Sequence, residues 1–231
     1  MMNNKIFITA STPQDWKNLL AQPCKHWQKE HSAKALAYCW LESDGLPKEI
    51  IAVFEKSNIK LFQDIKLLVG FPEYKVFLPP FSGHPSQNDI FILAKSNGQL
   101  ISIMVEGKVS ESFGETIETW LKNSSKGKEE RLDFLYNQLN IDSKKVNPSI
   151  RYQLLHRTVS ALIEAKRFNA ANALMLVHSF SNDDKWFNDY NQFLGLLELK
   201  GEINSLIGPK KIKEVNLYFA WVRGNSMWLS K

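Results

Sequence analysis

Cysteine is scarce in this chain, which has only Cys24 and Cys39 among its 231 residues. Two thiols can close one disulfide at most, so the sequence excludes a small secreted scaffold held together by disulfides. We therefore expect a reducing compartment, the cytoplasm. The cysteines stand with His26 and His31 in a spacing that matches neither a CxxC nor an HxxxH pattern, so no zinc site is predicted there.

Long apolar runs and glycine-rich phosphate loops are also absent. No segment approaches the roughly 20 apolar residues of a membrane span, so we expect no membrane partner. The first residues, MMNNKIFITASTPQDW, contain one short apolar patch, and we expect no signal peptide. The motifs GxGxxG, GxxxxGK[ST] and GxSxG do not occur, which argues against a dinucleotide-binding domain, a P-loop NTPase and an α/β-hydrolase.

The composition is that of a folded domain. Hydrophobic residues make up 44% of the chain, enough for a substantial core at this length. We predict a single domain over 1–231, with a mainly helical amino-terminal extension at 1–45, a core at 46–181 and a carboxyl-terminal helix and strand at 182–231. The net charge of +5 permits a polyanionic partner without requiring one.

Helical and extended patterns alternate along the chain. Thr12-Pro13 predicts the start of a helix, a helical stripe occupies 32–42, and Gly45 and Pro47 separate this helix from the next. We predict further helices at 115–122, 129–139, 149–166 and 186–197, strands at 65–69, 74–78, 171–180 and 217–222, and a loop at 79–88. Together with the hairpin between them, these elements predict an α/β fold with a mixed central sheet flanked by helices.

The most informative feature is that predicted β-hairpin. Asn97-Gly98 favours a type I′ turn, because both central residues of this turn need a positive φ. If these two residues form the loop, the numbers of paired residues add up to 195, and Asp89 lies directly opposite Glu106. Lys108 lies two residues beyond Glu106 and therefore on the same face of the sheet.

Two acids that face each other across neighbouring strands repel, and a divalent cation between them turns this repulsion into attraction. The adjoining pairs Ile90–Val105 and Phe91–Met104 are apolar on both faces, so we expect helices to cover both sides of the hairpin. Burying acids at the end of such a hairpin is costly unless they form a site. The alternative is an ordinary acid–lysine pair at a solvated end of the sheet.

At these residues the sequence resembles the PD-(D/E)XK nuclease superfamily, whose restriction-endonuclease-like fold has an αβββαβ core. This family carries one acid on its second core strand and an acid-x-lysine triplet on its third. Asp89 matches the first acid and Glu106-Gly107-Lys108 the triplet, with Asn88 where the family usually has proline. The resemblance implies that Asp89, Glu106 and the backbone carbonyl of Gly107 bind Mg²⁺, for which Mn²⁺ substitutes. It also implies that the two acids and Lys108 are catalytic.

A second resemblance concerns 151–157, RYQLLHR, which is similar to the glutamine-bearing helix of the exonuclease and RecB-like branch. Gln153 and Arg157 share one face of this helix, and Arg157 stands where the branch has tyrosine. The resemblance implies accessory roles for both residues; the alternative is a solvated polar face. Glu49, near the start of the first core helix, and His84, in the loop before the hairpin, are further accessory candidates. The stretch 105–193 also resembles an uncharacterised bacterial family with this fold.

The resemblance implies a magnesium-dependent phosphodiesterase that hydrolyses nucleic acid. DNA is the expected substrate, and the resemblance also allows a homodimer. Lys108 would orient the attacking water and offset the charge of the phosphate oxygens. Two alternatives stay open: a non-catalytic module that keeps the fold to bind nucleic acid or a protein, and a hydrolase or transferase that acts on free nucleotides.

Overall fold

The computed structural model describes residues 10–80 and 83–231; the start of the chain and part of the predicted loop at 79–88 lie outside the described residues. The described strands form one six-stranded mixed sheet with helices on both faces. The strands are β1 (Lys66–Val76), β2 (Ser86–Ser96), β3 (Gln99–Lys108), β4 (Asn172–Ser179), β5 (Ser205–Ile212) and β6 (Val215–Arg223). The α-helices are α1 (Pro13–Leu19), α2 (Pro23–His26), α3 (Ser32–Glu42), α4 (Lys48–Lys56), α5 (Ile117–Leu121), α6 (Lys126–Leu139), α7 (Tyr152–Arg167) and α8 (Phe187–Leu196).

The strand order across the sheet is β1-β2-β3-β4-β6-β5. β1, β2 and β3 are antiparallel neighbours, whereas β3–β4 and β4–β6 are parallel. A parallel pair needs a long crossover connection, and the segment from α5 to α7 provides it between β3 and β4. The predicted α/β class with a mixed sheet is confirmed.

Side-chain alternation along the central strands divides the core into two apolar clusters. Phe91 and Met104 belong to the cluster under α5, α6, α7 and α8, on what we call the α7 face. Ile90 and Val105 belong to the cluster under α1, α3 and α4, on the α3 face. Because both faces are covered, the hairpin strands are apolar almost throughout, as the sequence predicted.

The predicted hairpin register is confirmed. β2 and β3 pair from Ser96–Gln99 to Ile90–Val105, so the numbers of all paired residues add up to 195. The turn residues Asn97 and Gly98 have φ values of 48° and 77°, the left-handed conformation that this loop requires. Asp89 and Glu106 therefore follow the last recorded pair at the end of the hairpin.

The two edge strands differ from the predictions. The runs 65–69 and 74–78 are parts of the single strand β1, and β5 was not predicted at all. Both strands contain proline, Pro72 in β1 and Pro209 in β5. Proline removes a ladder donor, but an edge strand has one side without a partner and tolerates this loss. A proline that reads as a strand break in the sequence is therefore compatible with both outer positions of the sheet.

Helix boundaries shift by a few residues. α6 begins at Lys126 instead of 129, because the side chain of Ser125 caps it by accepting the backbone N–H of Lys128 at 3.4 Å. α7 begins at Tyr152, three residues after the predicted start. No helix in the described part of the chain combines the length and the apolar character that crossing a bilayer would need.

Candidate active site at the end of the hairpin

Glu106 lies near the end of β3 on the α7 face and is 2% exposed. Its Oε1 accepts a hydrogen bond from Nζ of Lys108 at 2.5 Å, and its Oε2 accepts one from Nε of Arg157 at 2.6 Å. Burial alone would raise the pKa of Glu106, but the two cations outweigh burial, and the pKa lies below its ordinary value. Glu106 is thus an ionised carboxylate held between two cations.

Lys108 lies on the same face as Glu106, as the alternation of side chains predicted. It is 3% exposed, and Nζ also donates to Oε1 of Gln153 at 3.3 Å. The ammonium lies 4.7 Å from the centroid of the Phe113 ring. These contacts hold a buried lysine in one position, and Gln153 joins the cluster from the first turn of α7.

Asp89 faces the main chain of β3. Its Oδ2 accepts the backbone N–H of Gly107 at 2.7 Å, and among the described residues its carboxylate has no other hydrogen-bond partner. A Cβ at position 107 would lie 3.3 Å from this oxygen and from the side chain of Leu36, so glycine permits the close approach. Burial raises the pKa of Asp89 well above its ordinary value, and the negative charges of Glu106 and Glu73 raise it further.

Glu73 is a site residue that the sequence analysis missed. Paired residues of β1 and β2, such as Phe71–Phe91, have numbers that add up to 162, which places Glu73 opposite Asp89. Glu73 has a φ of 52°, and its Oε2 accepts a hydrogen bond from Nε2 of Gln87 at 2.7 Å. Burial raises the pKa of Glu73 to about 7. A long loop joins β1 to β2, so no turn motif in the sequence fixes their register.

Three acids therefore lie in a row across three neighbouring strands: Glu73 on β1, Asp89 on β2 and Glu106 on β3. The cations that act on them are Lys108 and Arg157. One negative charge is thus in excess when all three acids are ionised. Burial is the main cause of the raised pKa values of Glu73 and Asp89, and the charges of the neighbouring acids raise them further.

Arg157 is 6% exposed and is not part of a solvated helix face. Besides its bond to Glu106, its Nη1 donates to Oγ of Ser86 at 3.2 Å. Oγ of Ser86 lies 2.8 Å from Nδ1 of His156. Nη1 of Arg157 also lies 3.4 Å from Nδ1 of His156, and because arginine only donates, Nδ1 is the acceptor and Ser86 donates its proton to it. Burial and the charge of Arg157 hold the pKa of His156 well below its ordinary value, so the imidazole is neutral.

Glu49 does not join this cluster, which corrects its prediction as an accessory residue. The helix α4 packs on the α3 face, because Ile50 and Phe54 belong to the apolar cluster there. Oε1 of Glu49 accepts the backbone N–H of Asn225 at 3.1 Å. The sheet therefore separates Glu49 from the site residues on the α7 face.

The comparisons with known proteins place the chain in a family. Residues 9–226 match the family described as a domain of unknown function, DUF6946. The chain belongs to this family. No curated protein and no solved structure matches the chain. The match spans all six strands of this DUF6946 domain, and therefore every element that positions the acid cluster.

A cavity of about 380 Å³ lies beside the acid cluster of the DUF6946 domain. Its walls come from the loop before β2, the junction of α5 and α6, and the first turn of α7. His84, which was predicted as an accessory residue, lines this cavity and does not bond to the acids. Ser86 lines the cavity as well and also bonds to Arg157, so cavity and cluster adjoin.

Proposed function

We propose that this chain is a metal-dependent nuclease of the PD-(D/E)XK type, which hydrolyses phosphodiester bonds of nucleic acid, with DNA as the expected substrate. The observation that carries the proposal is the row of acids Glu73, Asp89 and Glu106 beside the buried ammonium of Lys108. The element order α4-β1-β2-β3, followed after α5 and α6 by α7-β4, supports a restriction-endonuclease-like αβββαβ core. A homodimer would supply the two sites that cutting both strands of a duplex requires.

The donor set fits a hard divalent cation. Carboxylate and carbonyl oxygens are the ligands that Mg²⁺ and Mn²⁺ prefer. Asp89 has a carboxylate oxygen without a partner among the described residues, and both Asp89 and Glu73 have raised pKa values that a nearby cation would lower. Asp89, Glu106 and the carbonyl of Gly107 would hold the ion, and Glu73 would complete the set. When bound, the ion polarises the phosphate and lowers the pKa of a coordinated water.

The side chains on α7 and β3 support this chemistry through their fixed positions. Lys108 is anchored by Glu106 and Gln153, and its ammonium can hold the attacking water and offset the developing charge on the phosphate oxygens. Arg157 fixes the orientation of Glu106 through a charge-assisted bond. A buried site of this kind has little water to screen its charges, so each of these contacts is stronger than it would be in solvent.

One observation favours a second candidate, the non-catalytic binding module. Each oxygen of Glu106 already accepts a short hydrogen bond from a cation, as in a purely structural ion network. Each carboxylate oxygen has two acceptor positions, however, so two such bonds leave room for a metal ion. The excess charge on Asp89 and Glu73 has no explanation in a structural network, and for this reason we prefer the nuclease.

The test is a cleavage assay with Mg²⁺ or Mn²⁺ on linear duplex, circular duplex and single-stranded DNA, on RNA and on free nucleotides. Lys108→Met removes the ammonium but keeps the buried stem, and we expect activity to fall at least about 100-fold. Lys126→Met is the matched control, because the side chain of Lys126 is 90% exposed.

Cleavage that survives EDTA, or a Lys108→Met protein as active as the control, would contradict the proposal. Hydrolysis of nucleotides alone would favour the nucleotide hydrolase. Mn²⁺-independent binding without any cleavage would favour the binding module.

A further inference from the structure

The cavity beside the acid cluster has an aromatic wall. The rings of Trp120 and Tyr152 stack with centroids 4.0 Å apart and planes at 13°, and the ring of His156 lies 4.8 Å from that of Tyr152. Nζ of Lys128 lies 5.1 Å from the centroid of Trp120 and donates to the backbone carbonyl of Trp120 at 2.6 Å. The wall thus combines flat apolar rings with a lysine ammonium at its end.

The charge of the cavity is positive. Lys128 and Arg131 line it, and no aspartate or glutamate does so among the described residues. Arg131 is 8% exposed, and the described part of the chain offers it no carboxylate partner. Its guanidinium instead donates to the backbone carbonyls of Leu78, Pro79, Pro80 and His84. Two cations without a carboxylate favour an anionic ligand.

The same arginine holds the described residues on either side of the cavity rim, 78–80 and His84. A Cβ at Gly83 would lie 2.7 Å from Nη2 of Arg131, and the four carbonyl bonds leave this guanidinium little freedom to move away. The rim therefore depends on a glycine and on a buried cation. A volume of about 380 Å³ lies within the range of pockets that hold small organic ligands, roughly 300–1,000 Å³.

The helix α7 connects the cavity to the acid cluster. Tyr152 and His156 line the cavity, whereas Gln153 and Arg157, one residue further along in each case, contact Lys108 and Glu106. A ligand in the cavity would therefore lie next to the acid cluster. A nucleic-acid strand bound at the acids would have the cavity beside it.

We infer that this cavity binds one unstacked nucleotide of the substrate strand, with its phosphate near Lys128 and its base against the wall of Trp120 and Tyr152. Aromatic side chains and lysines together are the recurring means of binding single-stranded nucleic acid. A base inside a duplex would first have to flip out of the stack, which costs unpairing and unstacking energy, so the recess favours a single strand. The inference rests on the proposed nuclease function and narrows its substrate class to single strands.

The experiment measures binding of a labelled single-stranded oligonucleotide and of the matching duplex to the Lys108→Met protein in the presence of Mn²⁺, so that cleavage does not interfere. Trp120→Leu removes the ring, and we expect single-strand affinity to fall about 10-fold or more while duplex affinity stays the same. Trp120→Phe keeps an aromatic ring and should retain most of the affinity. This variant therefore distinguishes loss of stacking from loss of the folded structure. Lys128→Gln should lower the affinity for the single strand. It should also reduce the slope of the logarithm of affinity against the logarithm of salt concentration by about one, the loss of one phosphate contact.

Two matched controls lie outside the cavity. Trp228→Leu alters a tryptophan on the α3 face, and Lys126→Gln removes an exposed lysine two residues from Lys128. Equal affinity for single strand and duplex, or a Trp120→Leu protein that binds like the Trp228→Leu control, would overturn the inference.

Cleavage by the protein that retains Lys108 separates the two proposals. Cleavage that is insensitive to Trp120→Leu overturns the cavity inference and leaves the nuclease intact. Single-strand binding that depends on Trp120, without cleavage of any nucleic acid, overturns the nuclease and supports the cavity as the ligand site of a binding module.

Discussion

Two clusters of titratable side chains lie on opposite faces of the same sheet, at neighbouring ends of β3 and β4. On the α7 face, Glu106 belongs to the row of three acids and forms an ion pair with Lys108. On the α3 face, potential metal-ligand atoms of Cys39, Glu49 and His178 lie within 4.8 Å of one another. By residue type alone, the second cluster resembles a metal site at least as closely as the first.

The electrostatics of the α3-face cluster are different. Burial lowers the pKa of His178 to about 3 and raises that of the Cys39 thiol, so both groups are neutral. Nδ1 of His178 accepts the indole N–H of Trp40 at 3.2 Å, and Glu49 accepts a backbone N–H. Nε2 of His178 has no hydrogen-bond partner within the described residues.

The comparison shows which property marks a site. On the α3 face burial favours the neutral forms of Cys39 and His178, so these two groups carry no excess charge that an ion would neutralise. On the α7 face Glu106 stays charged between two cations, while burial and the neighbouring acids raise the pKa values of Asp89 and Glu73 beside a cavity. Perturbed pKa values of this kind are a common feature of functional sites. Proximity of ligand-type residues is therefore a weaker indicator than unbalanced charge.

The largest expected effect concerns Glu106. Glu106→Gln removes the charge that both Lys108 and Arg157 contact and leaves two buried cations without it. We expect unfolding free energy to fall by about 3–5 kcal/mol, measured by urea denaturation. Glu130→Gln alters a half-exposed acid paired with Lys126 and should cost less than about 1 kcal/mol. A loss below about 1 kcal/mol for Glu106→Gln would contradict the ion network.

The second effect concerns metal binding. At a Mn²⁺ concentration about 100 times its dissociation constant, a bound ion stabilises the fold by about 2.7 kcal/mol. We expect Asp89→Asn to abolish this increment, which thermal unfolding with and without Mn²⁺ measures. Without metal the variant should be about as stable as the unaltered protein, because the raised pKa already favours a neutral side chain at this position and an amide oxygen can still accept the N–H of Gly107. Glu49→Gln, on the α3 face, should keep the increment; a loss there would place the ion in the other cluster.

The third effect is a pH dependence from Glu73. In metal-free buffer the folded protein holds a proton on Glu73 up to a pH of about 7, whereas the unfolded chain releases this proton near pH 4.5. The contribution of Glu73 to the unfolding free energy therefore falls as the pH rises between these two values. His156 and His178, with lowered pKa values, contribute the opposite slope below about 6.5.

The difference in unfolding free energy between the unaltered protein and Glu73→Gln isolates the contribution of Glu73, because both proteins contain the same histidines. The stability of the variant relative to the unaltered protein should rise with pH by up to about 1.4 kcal/mol per unit across this window. A relative stability that does not change with pH would mean that Glu73 has an ordinary pKa.

The sequence predicted the hairpin because its information is local. Asn97-Gly98 specifies one turn, and this turn fixes every pair up to the end of the strands. Gln153 and Arg157 were found because a helix places residues four apart on one face, and here that face meets the end of β3.

Glu73 and the edge strands could not be predicted in this way. The position of Glu73 depends on the pairing of β1 with β2 across a long connection, and nothing local determines that register. Glu49 was misassigned because a helix near the start of the core can pack on either face of the sheet. The apolar pattern of α4 predicts burial but does not specify which face it covers.

The smallest expected effect tests the α3-face cluster itself. A metal that bound there would have to deprotonate a thiol whose pKa burial raises, and would have to displace either the hydrogen bond of Trp40 at Nδ1 of His178 or the proton at Nε2. We therefore expect Zn²⁺ to stabilise the unaltered protein and Cys39→Ala equally, within about 0.5 kcal/mol in thermal unfolding. The stability increase caused by Zn²⁺ is measured separately for each protein, so the stability lost by removing the buried thiol does not affect the comparison. If Zn²⁺ raised the stability of the unaltered protein and Cys39→Ala abolished this increase, neutral, buried residues would have formed a metal site without any excess of charge. The proposed distinction between the two faces would then be wrong.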